Sequence, residues 1–146
     1  MGIFDSFSIS ASGMTAEKLR LDLTANNIAN MNSTGKPNDP ANPPYRRKIP
    51  VFAQMLEQAG NSGVLRYSYK GAGVHVTKVL EDQNQPRMVY DPTHPNADEK
   101  GYVAYPNINM VNEMVNMMSA TRAYEANVTA LNAAKDIALK ALQIGR

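Results

Sequence analysis

The chain lacks cysteine and tryptophan, has only two histidines, and carries a net charge of only +2. Without cysteine, disulfides, thiolate metal sites and cysteine nucleophiles are excluded. His75 and His94 lie far apart in the sequence and have no spacing typical of metal ligands. The small net charge disfavours nucleic acid or an anionic membrane as the main partner. The sequence also has no Gly-x-Ser-x-Gly motif, phosphate-binding loop or metal-ligating histidine pair. We therefore expect no catalytic residue, metal or cofactor, and the chain is predicted not to be an enzyme.

Long apolar runs are also missing. No stretch of about 18 apolar residues is present, so no transmembrane helix is expected. The first residues, Met1–Asp5, include an early acid and are not followed by the apolar core of a secretory signal. The sequence therefore predicts no cleaved signal peptide.

Proline is absent from both ends of the chain. All nine prolines lie between Pro37 and Pro106. Because a proline inside a helix costs about 3 kcal/mol, this distribution predicts two helical ends around a non-helical middle. The Asn- and Pro-rich segment 32–44 is predicted to be a long exposed loop.

Both predicted helices carry apolar residues at heptad spacing. The first helix is predicted over Phe7–Asn30. It has one line of apolar residues at every seventh position and a second apolar line on another side. The apolar pattern of the last helix begins near Met110. The residues expected on these contact faces are Phe7, Met14, Leu21, Leu23, Ile28, Met110, Met114, Met117, Tyr124, Val128, Leu131, Ile137 and Leu142. A chain this short cannot cover two apolar lines on each helix, so we expect helix faces that pack against several neighbours.

Residues 45–106 are predicted to form a small β-rich domain. We expect strands at Tyr45–Phe52, Val64–Tyr69, Val74–Val79 and Arg87–Tyr90, with a hairpin turn at Gly71–Gly73. The predicted fold class is α+β, with an N-terminal helix over 1–31, a loop over 32–44, the β-rich domain, and a C-terminal helix over 107–146. The two helices are expected to pack on each other as a coiled-coil-like pair.

Two polar groups are further candidates for contacts. Asn27 and Asn30 lie near the end of the first helix, where amides can bridge chains and fix the register of packed helices. The only basic cluster comprises Tyr45, Arg46, Arg47 and Lys48. Its side chains are expected to pair with acids of the same chain or of a neighbouring one, and a nucleic-acid patch is the alternative.

Motifs at both ends of the chain carry a family resemblance. The N-terminal motif comprises Ser12–Ala16 and Leu19–Asn30, and the C-terminal motif comprises Glu113–Asn127. This pair resembles the terminal signatures of bacterial flagellar axial proteins, which include rod, hook and hook-associated proteins. Within that family the short middle, with Tyr45–Lys48 and Tyr90–Pro92, is similar to proximal rod proteins of the basal body. The Pro-rich extension of segment 32–44 departs from the short turn common in these relatives.

The resemblance implies a structural subunit that polymerises into the hollow helical rod, crosses the periplasm and transmits torque for motility. It implies as partners further copies of the chain, other proximal and distal rod subunits, the adaptor between the MS ring and the rod, and the flagellar type III export apparatus. Neither nucleic acid nor membrane insertion is implied, and export without a cleaved signal is expected. The alternative is a small adaptor or chaperone of a type III secretion system that binds partners through its C-terminal amphipathic helix.

Overall fold

Two long helices lie at the two ends of the chain, with strands between them. The computed structural model describes residues 3–37, 39–59 and 68–144. In order along the chain, the elements are α1 (Ile3–Ala29), β1 (Lys48–Ala59), β2 (Ser68–Glu81), β3 (Arg87–Tyr90), β4 (Tyr102–Tyr105) and α2 (Met110–Ile144). The prediction of helical ends around a strand-containing middle is therefore confirmed.

The start of α2 is fixed by a side-chain cap. The Asn109 side-chain oxygen accepts hydrogen bonds from the backbone N–H groups of Val111 at 2.9 Å and Asn112 at 3.2 Å. An asparagine at this position satisfies amides that have no partner within the helix. The predicted start at Met110 is confirmed, whereas α1 begins at Ile3, earlier than predicted.

Strands β1 and β2 form a two-stranded sheet. The predicted turn at Gly71–Gly73 is wrong, because these residues lie inside β2. Gly73 has a φ of 115°, and a Cβ there would collide with the Ser12 hydroxyl of α1. The predicted strand start at Tyr45 is also wrong, since β1 begins at Lys48. Most of the predicted strand Val64–Tyr69 lies outside the described residues.

Strands β3 and β4 pair in antiparallel register, with Arg87 opposite Tyr105 and Tyr90 opposite Tyr102. Both pairs make cross-strand contacts. The Tyr90 and Tyr102 rings pack edge to face, with their centroids 5.4 Å apart. The Arg87 guanidinium lies 5.5 Å from the centroid of the Tyr105 ring. The strand predicted at Arg87–Tyr90 is confirmed, and β4 was not predicted.

Segment 32–44 is anchored at Gly35. The backbone of Gly35 exchanges two hydrogen bonds with Ala104, of 2.9 and 3.2 Å, and Gly35 is buried. A Cβ at this position would collide with the backbone of Pro44. Asn96 further holds the segment by donating to the Thr34 hydroxyl at 2.9 Å. The expectation of an exposed loop is wrong at Gly35, although most of residues 39–43 are exposed.

The chain divides into two compact units. Unit 1 comprises Met1–Leu19, Val51–Lys78 and Ser119–Arg146, and unit 2 comprises Arg20–Pro50 and Val79–Met118. The buried side chains described in unit 1 are those of Ser10, Ala16 and Ala120, whereas those of unit 2 are Leu23, Thr24, Asn27, Val103, Ala104, Pro106 and Glu113. Among the described residues, the large buried side chains are therefore in unit 2. The division at 31, 44 and 106 drawn from the sequence stays a prediction.

Candidate functional site

A polar cluster in unit 2 joins two buried residues to three half-buried ones. We call its members, Asn27, Tyr45, Arg47, Lys48 and Glu113, the polar junction. The Asn27 amide nitrogen donates to the Lys48 carbonyl oxygen and to Glu113 Oε2, both at 3.0 Å. Its oxygen accepts from the Lys48 backbone N–H at 2.9 Å and from the Tyr45 hydroxyl at 3.0 Å. These four bonds use both donors and both acceptor positions of the amide. Asn27, only 1% exposed, is thus fully satisfied without water.

Glu113 brings a buried carboxylate from the first turn of α2 into the junction. It is 1% exposed, and its Oε1 lies 2.7 Å from both Nε and Nη2 of Arg47. A buried charge is costly unless it is paired and hydrogen-bonded, and the permanent charge of an arginine meets that need. Loss of either partner would leave the other charge uncompensated.

Tyr45 is held in the junction in its neutral form. Burial raises the pKa of the Tyr45 phenol above its ordinary value, and the negative charges of Glu81 and Glu113 raise it further. The phenol therefore stays protonated at neutral pH and can donate to Asn27. The Lys48 ammonium lies 5.8 Å from the centroid of the Tyr45 ring.

The basic cluster divides between the interior and the surface of unit 2. Arg47 pairs with Glu113 of its own chain, and its carbonyl accepts from the Asp82 backbone N–H at 2.8 Å. Arg46 is exposed, with its Nη1 at 3.4 Å from both the Asp82 carbonyl and Gln83 Oε1. Of the two partners expected for Arg47, the acid of the same chain is the one found.

In unit 1, α1 contacts α2 and β2 at consecutive residues. A Cβ at Gly13 would lie 2.9 Å from the side-chain nitrogen and oxygen of Asn127, so the absence of a side chain allows this close approach. The Ser12 hydroxyl accepts from the Val74 backbone N–H at 3.1 Å. It sits in the space that a side chain at Gly73 would need.

The residues predicted on the helix faces differ in exposure. Leu23 and Asn27 are buried, and the exposed ones are Met110, Met114, Ile137 and Leu142. The remainder are half-buried, namely Phe7, Met14, Leu21, Ile28, Asn30, Met117, Tyr124, Val128 and Leu131. Asn27 joins the polar junction, whereas Asn30 lies just after α1 and its amide donates to the Asn26 carbonyl in the last turn of that helix. The sequence does not predict Glu113 as a site residue. Its position at the start of the C-terminal motif is the one feature of the sequence that points to it.

The described residues contain no group of three or more histidine, aspartate or glutamate side chains placed to hold a metal ion. A depression of about 430 Å³ beside the junction is lined largely by asparagines, and its charged groups are Arg47, Asp82 and Glu113. Two of these three form the ion pair already described. Neither described helix is long and apolar enough to cross a membrane.

Comparison with known proteins gives two family matches at the two ends of the chain. Residues 7–35 match the family model described as flagella basal body rod protein. Residues 99–144 match the family model described as flagellar basal body rod FlgEFG protein C-terminal. These ranges contain Asn27 and Glu113, the two buried side chains that the junction joins.

Full-length relatives agree with the family models. The chain is 43% identical over 150 aligned positions to the flagellar basal-body rod protein FlgC of Bacillus subtilis, with all of both chains covered. It is 40% identical to the FlgC protein of Borreliella burgdorferi, covering 99% of this chain and 98% of the relative. It is also 40% identical to FlgC of Escherichia coli O157:H7, with both chains fully covered. The chain therefore belongs to the FlgC family of flagellar basal-body rod proteins.

Proposed function

We propose that this chain, a structural rod subunit by its family, assembles with copies of itself and with other rod subunits through the exposed faces of its helices. The product is a hollow helical shaft in the proximal rod, which crosses the periplasm and transmits torque. The exposure of large apolar side chains along α2 carries this proposal. Val111 is 67% exposed, Ile137 63% and Leu142 71%.

We expect these exposed apolar side chains to be covered by a partner outside the chain. Burying one leucine or isoleucine contributes about 1.5–3 kcal/mol, so a row of them left in water is a large unused source of stability. Contacts between two different faces of identical subunits do not close on themselves and generate a helical filament. Ile137 and Leu142 are accordingly assigned to contacts between subunits, together with the other predicted helix-face residues that are exposed.

The two helices are proposed to pair as a coiled-coil-like pair, supported by one contact in each compact unit. Unit 2 contains the bond between Asn27 and Glu113, and unit 1 contains the approach of Gly13 to Asn127. The two contacts are separated by the same number of residues in α1 and in α2, and that spacing equals two heptads.

The remaining partners and the location follow from the same proposal. The adaptor between the MS ring and the rod would contact the chain within the basal body, and the type III export apparatus would carry it to the periplasm without a cleaved signal. Arg46 is the member of the basic cluster best placed to meet a neighbouring acid, because it is exposed while Arg47 is paired internally. A structural role requires no catalytic activity, and membership of a rod family supports that role over a secretion adaptor.

The proposal is tested by a charge placed on the exposed apolar face. Ile137→Asp would bury a carboxylate in a subunit contact, which costs several kcal/mol. Because Ile137 is exposed in the single chain, the variant should be produced and exported normally. Cells that depend on this variant should not swim, and electron microscopy of their basal bodies should find no completed rod.

Asn132→Asp is the matched control, since it adds the same charge at an exposed polar position of the same helix. It should swim as the wild type does. Normal swimming by Ile137→Asp would show that this face is not a subunit contact. A stable oligomer of defined size formed by the purified chain alone, measured by sedimentation, would favour the adaptor alternative.

A further inference from the structure

The depression of about 430 Å³ beside the polar junction lies within unit 2. Five asparagines line it, Asn84, Asn107, Asn109, Asn112 and Asn116, and we call it the asparagine pocket. Its volume is within the range of small-molecule sites, although most of those are lined by apolar side chains. We propose that the asparagine pocket binds a neutral sugar that carries an acetamido group. This binding is a property of the single chain, and it does not rest on the proposed structural function.

Most carboxamides of the pocket have no partner within the described residues. The Asn109 side-chain oxygen caps α2 by accepting from two backbone N–H groups. Among the described residues, no hydrogen bond is made by the side chains of the other four asparagines of the pocket. Each of these carboxamides offers two N–H donors and an oxygen that accepts. The pocket therefore presents donors and acceptors side by side to a ligand.

The charges around the pocket favour a ligand without net charge. Arg47 and Glu113 line the pocket, but they neutralise each other in the ion pair of the polar junction. The remaining charge is that of Asp82, whose Oδ1 accepts from the Asn84 backbone N–H at 3.0 Å. An anion would meet the carboxylates of Asp82 and Glu113, whereas a cation would meet Arg47 and the positive N-terminal end of α2. A neutral polar ligand avoids both kinds of repulsion.

A sugar ring fits the pocket better than other neutral partners do. An apolar face of a neighbouring subunit would cover four carboxamides without giving them partners, which is costly. An extended peptide directs the backbone groups of successive residues to opposite sides, so a single pocket meets only some of them. Each hydroxyl of a sugar both donates and accepts, so one carboxamide can bond to two neighbouring hydroxyls of the same ring.

Val115 indicates the acetamido group. This residue lines the pocket and is 54% exposed. An acetamido group combines an amide, which pairs with a carboxamide, and a methyl group, which can pack on an apolar side chain. A sugar that carries only hydroxyls leaves Val115 in contact with water. We therefore expect an acetylated sugar to bind more tightly than one without acetamido groups.

Titration of the purified chain with two trisaccharides tests the proposal. Triacetylchitotriose carries an acetamido group on each ring, whereas maltotriose carries only hydroxyls. In nuclear magnetic resonance spectra, triacetylchitotriose at up to about 10 mM should shift the side-chain amide signals of Asn84, Asn107, Asn112 and Asn116. Maltotriose should bind about fivefold more weakly or less tightly still, because it makes no methyl contact and no amide pair.

Variants of α2 identify the groups that bind. Asn112→Leu and Asn116→Leu each replace a carboxamide by an apolar side chain of similar size that suits a helix. Each should weaken the binding of triacetylchitotriose about five- to tenfold, because hydrogen bonds are lost. Asn132→Leu is the matched control, since it makes the same change at an exposed position of α2 outside the pocket, and it should bind as the wild type does. Val115→Ser should bring the affinities of the two trisaccharides closer together.

The comparison of the two sugars on the wild-type chain is decisive even if a variant fails to fold. The proposal would be overturned by equal affinity for both sugars, by no shift of the four amide signals, or by shifts confined to the proline-lined depression around Pro40 and Pro44. Shifts of the same signals with protein concentration, and none with sugar, would instead assign the pocket to a second copy of the chain. All measurements use the unassembled chain, so their failure would leave the proposed structural function untouched.

Discussion

At the residue scale, the sequence indicated Asn27 as a polar contact residue but did not identify its partners, and a role of Asn27 in contacts between subunits stays a prediction. A polar amide on a helix with apolar lines on two sides suggested a residue that fixes register, and Asn27 is buried with four bonds. Glu113 could not be predicted as its partner, because a carboxylate in the first turn of a helix is ordinarily a solvated residue that favours the helix dipole. Only the fold brings Arg47 beside it.

The pKa of Tyr45 gives a pH prediction at this scale. Its pKa is raised in the folded chain, so the folded form holds its proton to higher pH than the unfolded form. The stability linked to the neutral phenol is fully present below the ordinary tyrosine pKa of about 10 and is lost as pH rises through the folded value. Absorbance titration of wild type minus Tyr45→Phe should reveal one tyrosine that ionises above pH 10. A difference titration centred at or below about 10 would contradict the neutral, buried phenol.

Gly73 provides a second test at the residue scale. Its positive φ and the adjacent Ser12 hydroxyl both oppose a side chain, and such strain costs on the order of 1–3 kcal/mol. Gly73→Ala should therefore reduce swimming. Gly71→Ala is the matched control in the same strand, because a Cβ there would meet nothing within 4 Å. It should swim normally in a soft-agar assay, and equal motility of the two variants would count against the contact between α1 and β2.

At the element scale, the helices were predictable and the strands only in part. Heptad spacing and the distribution of proline located α1 and α2 to within a few residues. The sequence predicts two strands and a turn where the structure has the single strand β2, because glycines in a Gly-Ala-Gly sequence ordinarily mark a turn. In the structure the glycine at position 73 leaves room for the Ser12 hydroxyl, which accepts from the Val74 N–H. This contact joins residues far apart in sequence, so the sequence pattern does not reveal it.

The pairing of α1 with α2 predicts a compensating pair of substitutions. Gly13→Ala adds a methyl group that must displace the Asn127 side chain, which is held by a bond to the Ala123 carbonyl at 2.9 Å. Overpacking of this kind costs about 1–3 kcal/mol, which equals or exceeds the roughly 1 kcal/mol that alanine adds to helix propensity. Gly13→Ala should reduce motility, and adding Asn127→Ala should restore it. Equal defects in the single and double variants would mean that the two residues do not meet.

At the scale of the whole molecule, the predicted division at the helix ends stays a prediction, and the two compact units are a separate feature that divides each helix in two. Amino-acid composition and the spacing of apolar residues change where a helix ends. These patterns therefore locate helices and strands, but they do not show which parts of them pack together. The exposure of Ile137 and Leu142 could not be predicted for the same reason. Apolar spacing shows which residues share a helix face, but it does not show whether the partner of that face belongs to the same chain or to a neighbour.

Limited trypsin digestion tests this division on the unassembled chain. If unit 1 is loose, cleavage should occur first after Lys18 or Arg20, after Lys70 or Lys78, and after Arg122, because these sites lie in unit 1 or at its border. The remaining pieces of about residues 21–70 and 79–122 have no covalent link. They should nevertheless stay together, since the bonds of Glu113 to Asn27 and Arg47 join one piece to the other.

Native mass spectrometry of the digest should therefore detect the two pieces as one complex. The same complex should be absent from a digest of the Glu113→Ala variant, in which the buried Asn27 amide loses one of its acceptors and the half-buried Arg47 charge loses its partner. Lys140→Ala serves as a control, because it removes an exposed side chain of the loose end and should leave the complex intact. Two separated pieces from the wild-type chain would show that unit 2 does not hold together without its neighbours, and a single uncut chain would show that unit 1 is ordered before assembly.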